Sequence, residues 1–231
     1  MAQQASRMQT LVNDLLTLSR LEGSPPPGAG EWSSVSSMLV QLEQEGQALS
    51  ALLYPPMVGP AQQLLFEPAP PCEVSGTPSE LYSAFSNLIS NAVRYTPAGG
   101  RIEAGWLSHA DGRGEFFVQD SGPGIAPEHI PRLTERFYRV DDKSSREKGG
   151  TGLGLAMVFG AMQRHGADME IDSAVGRGTC VRLLFPIPRE GAAAAATTWR
   201  TLAIPSRLRL LLIDDDPVLL RSLSNTLESD G

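Results

Sequence analysis

Near the N-terminus the apolar residues Met8, Leu11, Leu15 and Leu18 recur in steps of three and four, and Val12, Leu16 and Leu21 widen the stripe. The spacing predicts an amphipathic helix over 1–22. A helix of about two heptads is too short to stand alone in water, so its seam needs a partner: its own domain, a second helix or a second copy. The stretch "GSPPPGAG" then ends it, because proline lacks a backbone donor and glycine resists ordering. Residues 36–49 and 79–94 carry helical periodicity. "RIEAGWL", "EFFVQD", "MEIDS" and "TCVRLLF" alternate at two-residue period, as strands do. Strands in a meander with helices segregated to one face predict an α+β two-layer sandwich rather than a doubly wound sheet.

The pattern divides the chain into a helix at 1–22, a linker at 23–31, a main domain at 32–188, a second linker at 189–207 and a last piece at 208–231. The second linker begins "REGAAAAATTWR", low in complexity and without a period. The last piece, "LRLLLIDDDPVLLRSLSNTLESDG", reads as a buried strand, an acidic turn and an amphipathic helix. One strand and one helix cannot bury their own apolar faces, so this piece is expected to be the start of something larger.

Composition narrows the class. The 231 residues are 41% hydrophobic and 19% charged, an ordinary globular balance. Net charge is −7, from 19 Lys plus Arg against 26 Asp plus Glu, and no helix carries a long basic stripe. Nucleic acid is therefore not an expected partner. Cys72 and Cys180 stand outside any CxxC or Cys/His spacing, which argues against structural zinc and suits a reducing compartment. No apolar run approaches the roughly 18 to 20 residues that span a bilayer, and no signal-like pattern opens the chain, so a cytoplasmic location is expected.

Three stretches carry chemistry. "GGTGLGLAMV" at 149–158 sets Gly150, Gly152 and Gly154 just before or at a helix start near Leu153 to Leu155. Glycines admit backbone close to an anion, and a helix start adds free N–H groups, which suits a polyphosphate. No Lys-Ser/Thr follows, so it is not a Walker loop, and the spacing is not that of a dinucleotide fold. "VQDSGPGIAPEHI" puts Asp120 at a strand end ahead of Gly122 and Gly124, where its carboxylate could accept the adenine amino group. "SNLISNAVRYTP" places Asn87 and Asn91 four apart on one helix face, with amide oxygens suited to a hard cation such as Mg²⁺.

In this order the three stretches resemble the ATP-binding domain of sensor histidine kinases. The resemblance runs over roughly residues 7–188 and continues through "LTERFYRVDD", similar to the family's F box, and "SAVGRGTCVRLLFP", similar to its last glycine motif and closing strand. It implies a histidine kinase/gyrase/Hsp90-type sandwich and the cofactors ATP and Mg²⁺. It implies catalytic roles for Asn87 and Arg139, and Asn91 as the metal ligand. It implies nucleotide contacts from Asn87, Asn91, Arg94, Tyr95, Asp120, Gly122, Gly124, Phe137, Gly150, Gly152, Gly154 and Leu155. Arg94 stands where the family usually has lysine.

The chain also departs from the family in having no H-E-x-R-T-P-like box. His109, His129 and His165 are expected to be surface or capping residues rather than phosphoacceptors. Residues 1–22 resemble the second helix of the dimerisation hairpin, so the acceptor histidine is expected on another polypeptide or upstream. A homodimer of the full-length protein and a downstream response regulator are implied as partners. The stub at 208–231 resembles the first strand and acidic pocket of a receiver, with Asp214 and Asp215 as its usual metal pair. The same fold serves ATPases that carry a glutamate four residues before the metal asparagine. Asn87 occupies that place here, which favours phosphoryl transfer over hydrolysis.

Overall fold

The computed structural model describes residues 2–23, 31–55, 57, 59–69, 71–140 and 151–186. All of them fall in one unit, Met1–Ala193. The helices are α1 (Ala2–Gly23), α2 (Val35–Leu53), α3 (Pro78–Tyr95) and α4 (Gly154–Arg164), and the strands are β1 (Trp32–Ser34), β2 (Gln63–Phe66), β3 (Glu73–Ser75), β4 (Arg101–Ser108), β5 (Gly114–Asp120), β6 (Asp168–Ala174) and β7 (Gly178–Phe185). A 3₁₀ turn occupies Ile130–Arg132.

The main sheet has the order β2-β4-β5-β7-β6, and β1 and β3 form a separate pair. β2 lies parallel to β4, from Gln63 opposite Arg101 to Phe66 opposite Ala104, while the other three pairings are antiparallel. Alternation along the strands sends Ile102, Ala104 and Trp106 of β4, Phe116 and Val118 of β5, and Val181, Leu183 and Phe185 of β7 into the core. There they meet Leu81, Phe85, Leu88, Ile89 and Ala92, spaced at helical period on α3. Phe85 stacks on Phe116 with centroids 4.0 Å apart, and Phe185 meets Phe85 edge-on at 6.0 Å. The α+β two-layer sandwich expected from the pattern is the observed fold.

Local chemistry fixes the ends of α3, which carries the paired asparagines. Pro78 opens it with φ already helical, and Glu80 lies in its first turn. At its C-terminus the buried Gln62 accepts from Ser50 Oγ at 2.8 Å and donates through Nε2 to the carbonyls of Val93 (3.0 Å) and Thr96 (2.7 Å). Tyr54 Oη donates to the same Thr96 carbonyl at 2.9 Å. Carbonyls that a helix end leaves open are thus filled by side chains from the segment between α2 and β2.

Of the two roles expected for it, surface or capping, His165 takes the second, as the C-cap of α4. Its side chain is 1% exposed, its Nδ1 donates to the Ala161 carbonyl at 2.7 Å, and its Nε2 accepts from the Thr77 N–H at 3.1 Å. It joins the end of α4 to the start of α3.

The apolar stripe of α1 divides. Leu18 and Leu21 are buried, Leu15 packs partly against the core, and Met8, Val12 and Leu16 are exposed. The buried half lies on α4, where Leu21 comes within 3.9 Å of the place a Cβ on Gly160 would occupy. Arg164 Nη1 donates to the Leu21 carbonyl at 3.3 Å, and its Nε and Nη2 fork onto Glu80 at 3.1 Å each. The seam therefore finds one partner inside its own domain. β1, β2, β3 and the 3₁₀ turn are additions to the expected elements, and Gly23 closes α1 rather than opening the linker. Residues 24–30 of that linker and the expected segments at 189–207 and 208–231 lie outside the described residues.

Candidate functional site

A cavity of about 520 Å³ opens between α3, the end of β5, the start of β7, the stretch 123–140, the start of α4 and α1. Asn87, Asn91, Arg94, Tyr95, Asp120, Gly124, Arg139, Gly152, Gly154 and Leu155 all line it. Ten of the expected site residues, spread over nearly 70 positions of sequence, thus share one wall.

On α3 the Asn87 side chain donates from Nδ2 to the Ser83 carbonyl at 2.8 Å, which turns its oxygen into the group that can accept or ligate. A Cβ built on Gly154 would stand 3.0 Å from that Oδ1 and 3.8 Å from Asn91 Nδ2. The glycine at the start of α4 is needed because the paired asparagines pack against it. Arg94 lines the cavity with Nε donating to Ser90 Oγ at 3.1 Å.

Asp120 ends β5. Its Oδ1 accepts the Gly122 N–H at 2.7 Å, and a second backbone donor comes from Thr179. Burial nevertheless raises the carboxyl above the usual aspartate value, the desolvation outweighing the two N–H groups that favour the charged form. Gly122 is buried in this turn rather than in the cavity wall. The loop is tied to the β6–β7 turn by Ile125 N–H to Ser173 Oγ (2.9 Å) and Gly176 N–H to the Pro123 carbonyl (2.7 Å).

The stretch corresponding to the F box is held by its own side chains. Arg132 lies over the Tyr138 ring at 4.1 Å and pairs with Glu135 at 3.2 Å, while Tyr138 Oη and His129 Nδ1 are 2.7 Å apart. Tyr138 and Arg139 both face the cavity. Nε and Nη2 of Arg139 are buried with no hydrogen-bond partner among the described residues. Phe137 is not in the cavity wall: its side chain is 54% exposed and its backbone has φ 64°. Its N–H donates to the Gly152 carbonyl at 2.9 Å, and Gly152, at φ 75°, presses against the Phe137 backbone where a Cβ would come within 2.9 Å of Cα. Phe137 thus joins the F-box stretch to the glycine loop through its backbone. Gly150 lies outside the described residues.

The wall also holds residues outside the expected set, among them Thr151, Tyr138 and Thr179, which lie within the quoted motifs, and Asp14, which does not. Asp14 of α1 accepts from Thr151 Oγ1 at 2.8 Å. The one trace of Asp14 in the sequence is an acidic residue set within the apolar stripe of α1. No group of three or more His, Cys, Asp or Glu among the described residues could hold a metal. Any cation here would take amide oxygens from Asn87 and Asn91 and complete its shell elsewhere, which fits Mg²⁺ shared with phosphates and water. No helix among the described residues is long and apolar enough to cross a membrane.

The family described as "Histidine kinase-, DNA gyrase B-, and HSP90-like ATPase" matches residues 76–189. The chain is 45% identical over 179 residues to the phosphate regulon sensor protein PhoR of Pseudomonas aeruginosa, covering 78% of this chain and 39% of PhoR. It is 34% identical over 184 residues to the sensor histidine kinase RppB of Synechocystis, covering 80% and 39%. The chain therefore spans about two fifths of the length of these relatives. Among solved structures, full-length ShkA in complex with AMPPNP superposes with a TM-score of 0.66 at 24% identity, over 80% of this chain and 36% of that one. The mycobacterial sensor histidine kinase MprB superposes with a TM-score of 0.55 at 25% identity, over 69% of this chain and 99% of that one. Residues 76–189 thus form a histidine kinase-, DNA gyrase B- and HSP90-like ATPase domain, similar in sequence to that part of sensor histidine kinases.

Proposed function

We propose that the cavity binds Mg-ATP and that this chain transfers the γ-phosphoryl group to a histidine carried on a dimerisation hairpin. The observation that carries the reading is Arg139, whose guanidinium Nε and Nη2 are buried with no hydrogen-bond partner among the described residues and which lines a cavity that also presents Asn87, Asn91 and Asp120. Leaving such donors buried costs free energy unless an anion meets them. In this reading Asp120 accepts the adenine amino group and Asn91, with Asn87, holds Mg²⁺. The metal supplies charge neutralisation at the phosphates. Arg139 neutralises charge that develops on the moving phosphoryl group, and the cavity's remaining task is to hold donor and acceptor in line.

The three histidines are all engaged. His109 Nε2 and His129 Nδ1 hydrogen-bond Glu115 (2.8 Å) and Tyr138 (2.7 Å), and His165 is buried. This supports an acceptor outside the described residues. It equally favours a second reading, in which the chain binds Mg-ATP without transferring it. The kinase reading further implies a cytoplasmic location, a homodimer in the full-length protein and a response regulator as the onward acceptor.

The test is incubation with γ-labelled Mg-ATP, alone and with an added helical hairpin carrying an H box, followed by assay of acid-labile phosphate. Label on the hairpin, lost in Arg139→Ala, is the expected result. Nucleotide binding without label anywhere would establish the silent binding module. Steady phosphate release abolished by Asn91→Ala would point to an ATPase in spite of Asn87.

A further inference from the structure

Two carboxylates line the cavity among the described residues, and they stand in different circumstances. Asp120 is engaged by the N–H groups of Gly122 and Thr179. Asp14 comes from α1 and is bound to Thr151 Oγ1 at 2.8 Å, just ahead of the start of α4. Among the described residues the N-cap Leu153 supplies no side-chain cap to the start of α4, and the N–H groups of a helix's first turn attract an anion. A phosphate would be drawn to this end of the cavity, and the Asp14 carboxylate already stands there. α1 holds it in place: Leu18 and Leu21 are buried, and Arg164 grips the Leu21 carbonyl.

We propose that Asp14 is a resident anion at the phosphate end of the cavity, so that docking of α1 and binding of a polyphosphate oppose each other and the site grades its ligands by phosphate charge. The proposal rests on the nucleotide reading given above. Its physical content is repulsion between like charges in a cavity partly removed from water, where Coulomb interactions are less screened than at an open surface. The repulsion grows with the negative charge of the ligand. It is largest for a magnesium triphosphate, smaller for a magnesium diphosphate and nil for adenosine. Because linkage is reciprocal, a triphosphate must loosen α1 to the extent that docked α1 weakens the triphosphate.

Asp14→Asn isolates the charge, since an amide oxygen can still accept from Thr151 and the shape of the side chain is kept. Affinities of the whole chain for Mg-AMPPNP, Mg-ADP and adenosine are measured by titration calorimetry, with and without the substitution. The expected result is about fivefold tighter Mg-AMPPNP binding by the variant, a smaller gain for Mg-ADP and no change for adenosine. In the unsubstituted chain Mg-AMPPNP is also expected to speed amide exchange over residues 11–21, and in the Asp14→Asn variant much less so. Indifferent or weaker Mg-AMPPNP binding by the variant would overturn the inference and leave the nucleotide reading standing. An equal gain for adenosine would overturn it too, since that would report a relaxed fold instead of a removed charge. Failure of the unsubstituted chain to bind any of the three would remove the nucleotide reading and this inference together.

Discussion

Replacing Gly154 by alanine tests whether the start of α4 and the asparagines of α3 form one wall. The added Cβ would lie 3.0 Å from Asn87 Oδ1, a few tenths of an ångström inside ordinary contact. Asn87 cannot simply swing away, because its Nδ2 is tied to the Ser83 carbonyl at 2.8 Å. Two terms oppose in stability. Alanine is favoured over glycine in a helix by about 1 kcal/mol, and disturbing one hydrogen bond costs about 0.5–1.5 kcal/mol. The net change is therefore within about 1 kcal/mol, a shift of Tm of roughly 2–4 °C at most for a domain of this size. Ligand binding has no such cancellation. Moving the Asn87 oxygen off its place is expected to weaken Mg-AMPPNP about tenfold, or about 1.4 kcal/mol, with adenosine affinity kept. The assay is a double-mutant cycle with Asn87→Ala, read by calorimetric titration. Once Asn87 is replaced by alanine the extra methyl meets no oxygen, so Gly154→Ala should then have no further effect on binding. Additivity of the two substitutions within about 0.3–0.5 kcal/mol would refute the reasoning, as would wild-type binding by Gly154→Ala alone.

Other substitutions test the supports of the site. Gln62→Leu strands the Ser50 hydroxyl and leaves the Val93 and Thr96 carbonyls short of a donor; it should cost about 2–4 kcal/mol in urea unfolding without touching the cavity wall. His165→Ala removes the acceptor of the Thr77 N–H and leaves a hole against Gly76, for an expected loss of about 2–3 kcal/mol in the same assay. The Asp120 carboxyl has its pKa raised by burial, so the folded protein holds that proton more tightly than the unfolded chain. Its contribution to stability is most favourable below the ordinary aspartate value and is lost as pH rises through the raised one. Asp120→Asn should accordingly raise the apo Tm at pH 7, the difference shrinking as pH falls through that window. Binding that favours the ionised form should release protons in the same window, which calorimetry in buffers of different ionisation enthalpy would detect.

The long elements are legible in the sequence because each carries enough periods to show its pattern. α3 repeats Leu81, Phe85, Leu88, Ala92 at helical spacing, and β4, β5 and β7 alternate over seven or eight residues. β1, β2 and β3 are not legible, since three or four residues hold barely two alternations and their partners are far away, Trp32 against Ser75 and Gln63 against Arg101. The α1 stripe is visible as a seam, but which half of it turns inward depends on Gly160 and Arg164, residues about 140 positions further along the chain. In the site, the paired asparagines and Asp120 are visible by spacing and strand position. The glycines are visible too, but the reason for them is not. Gly152 and Gly154 are demanded by Phe137 and Asn87, contacts within the protein, where sequence alone suggests an approach to a ligand. Phe137 falls outside its expected place because a motif records which residue is present and not whether its side chain or its backbone is used.

The pairing of the strands also has a kinetic consequence. β4–β5 and β6–β7 are hairpins between neighbours in sequence, whereas β5–β7 joins residues such as Asp120 and Thr179, and Asp14 meets Thr151 across 137 positions. Short loops close early and long ones late, because closure entropy must be met before the distant contact is made. The two hairpins are therefore expected to form first as separate units. The cavity, whose walls belong to both and to the N-terminal helix, is completed only when they dock. Refolding followed by a bound fluorescent nucleotide should lag behind recovery of backbone circular dichroism, with the delay measuring the time the sheet takes to close across its middle.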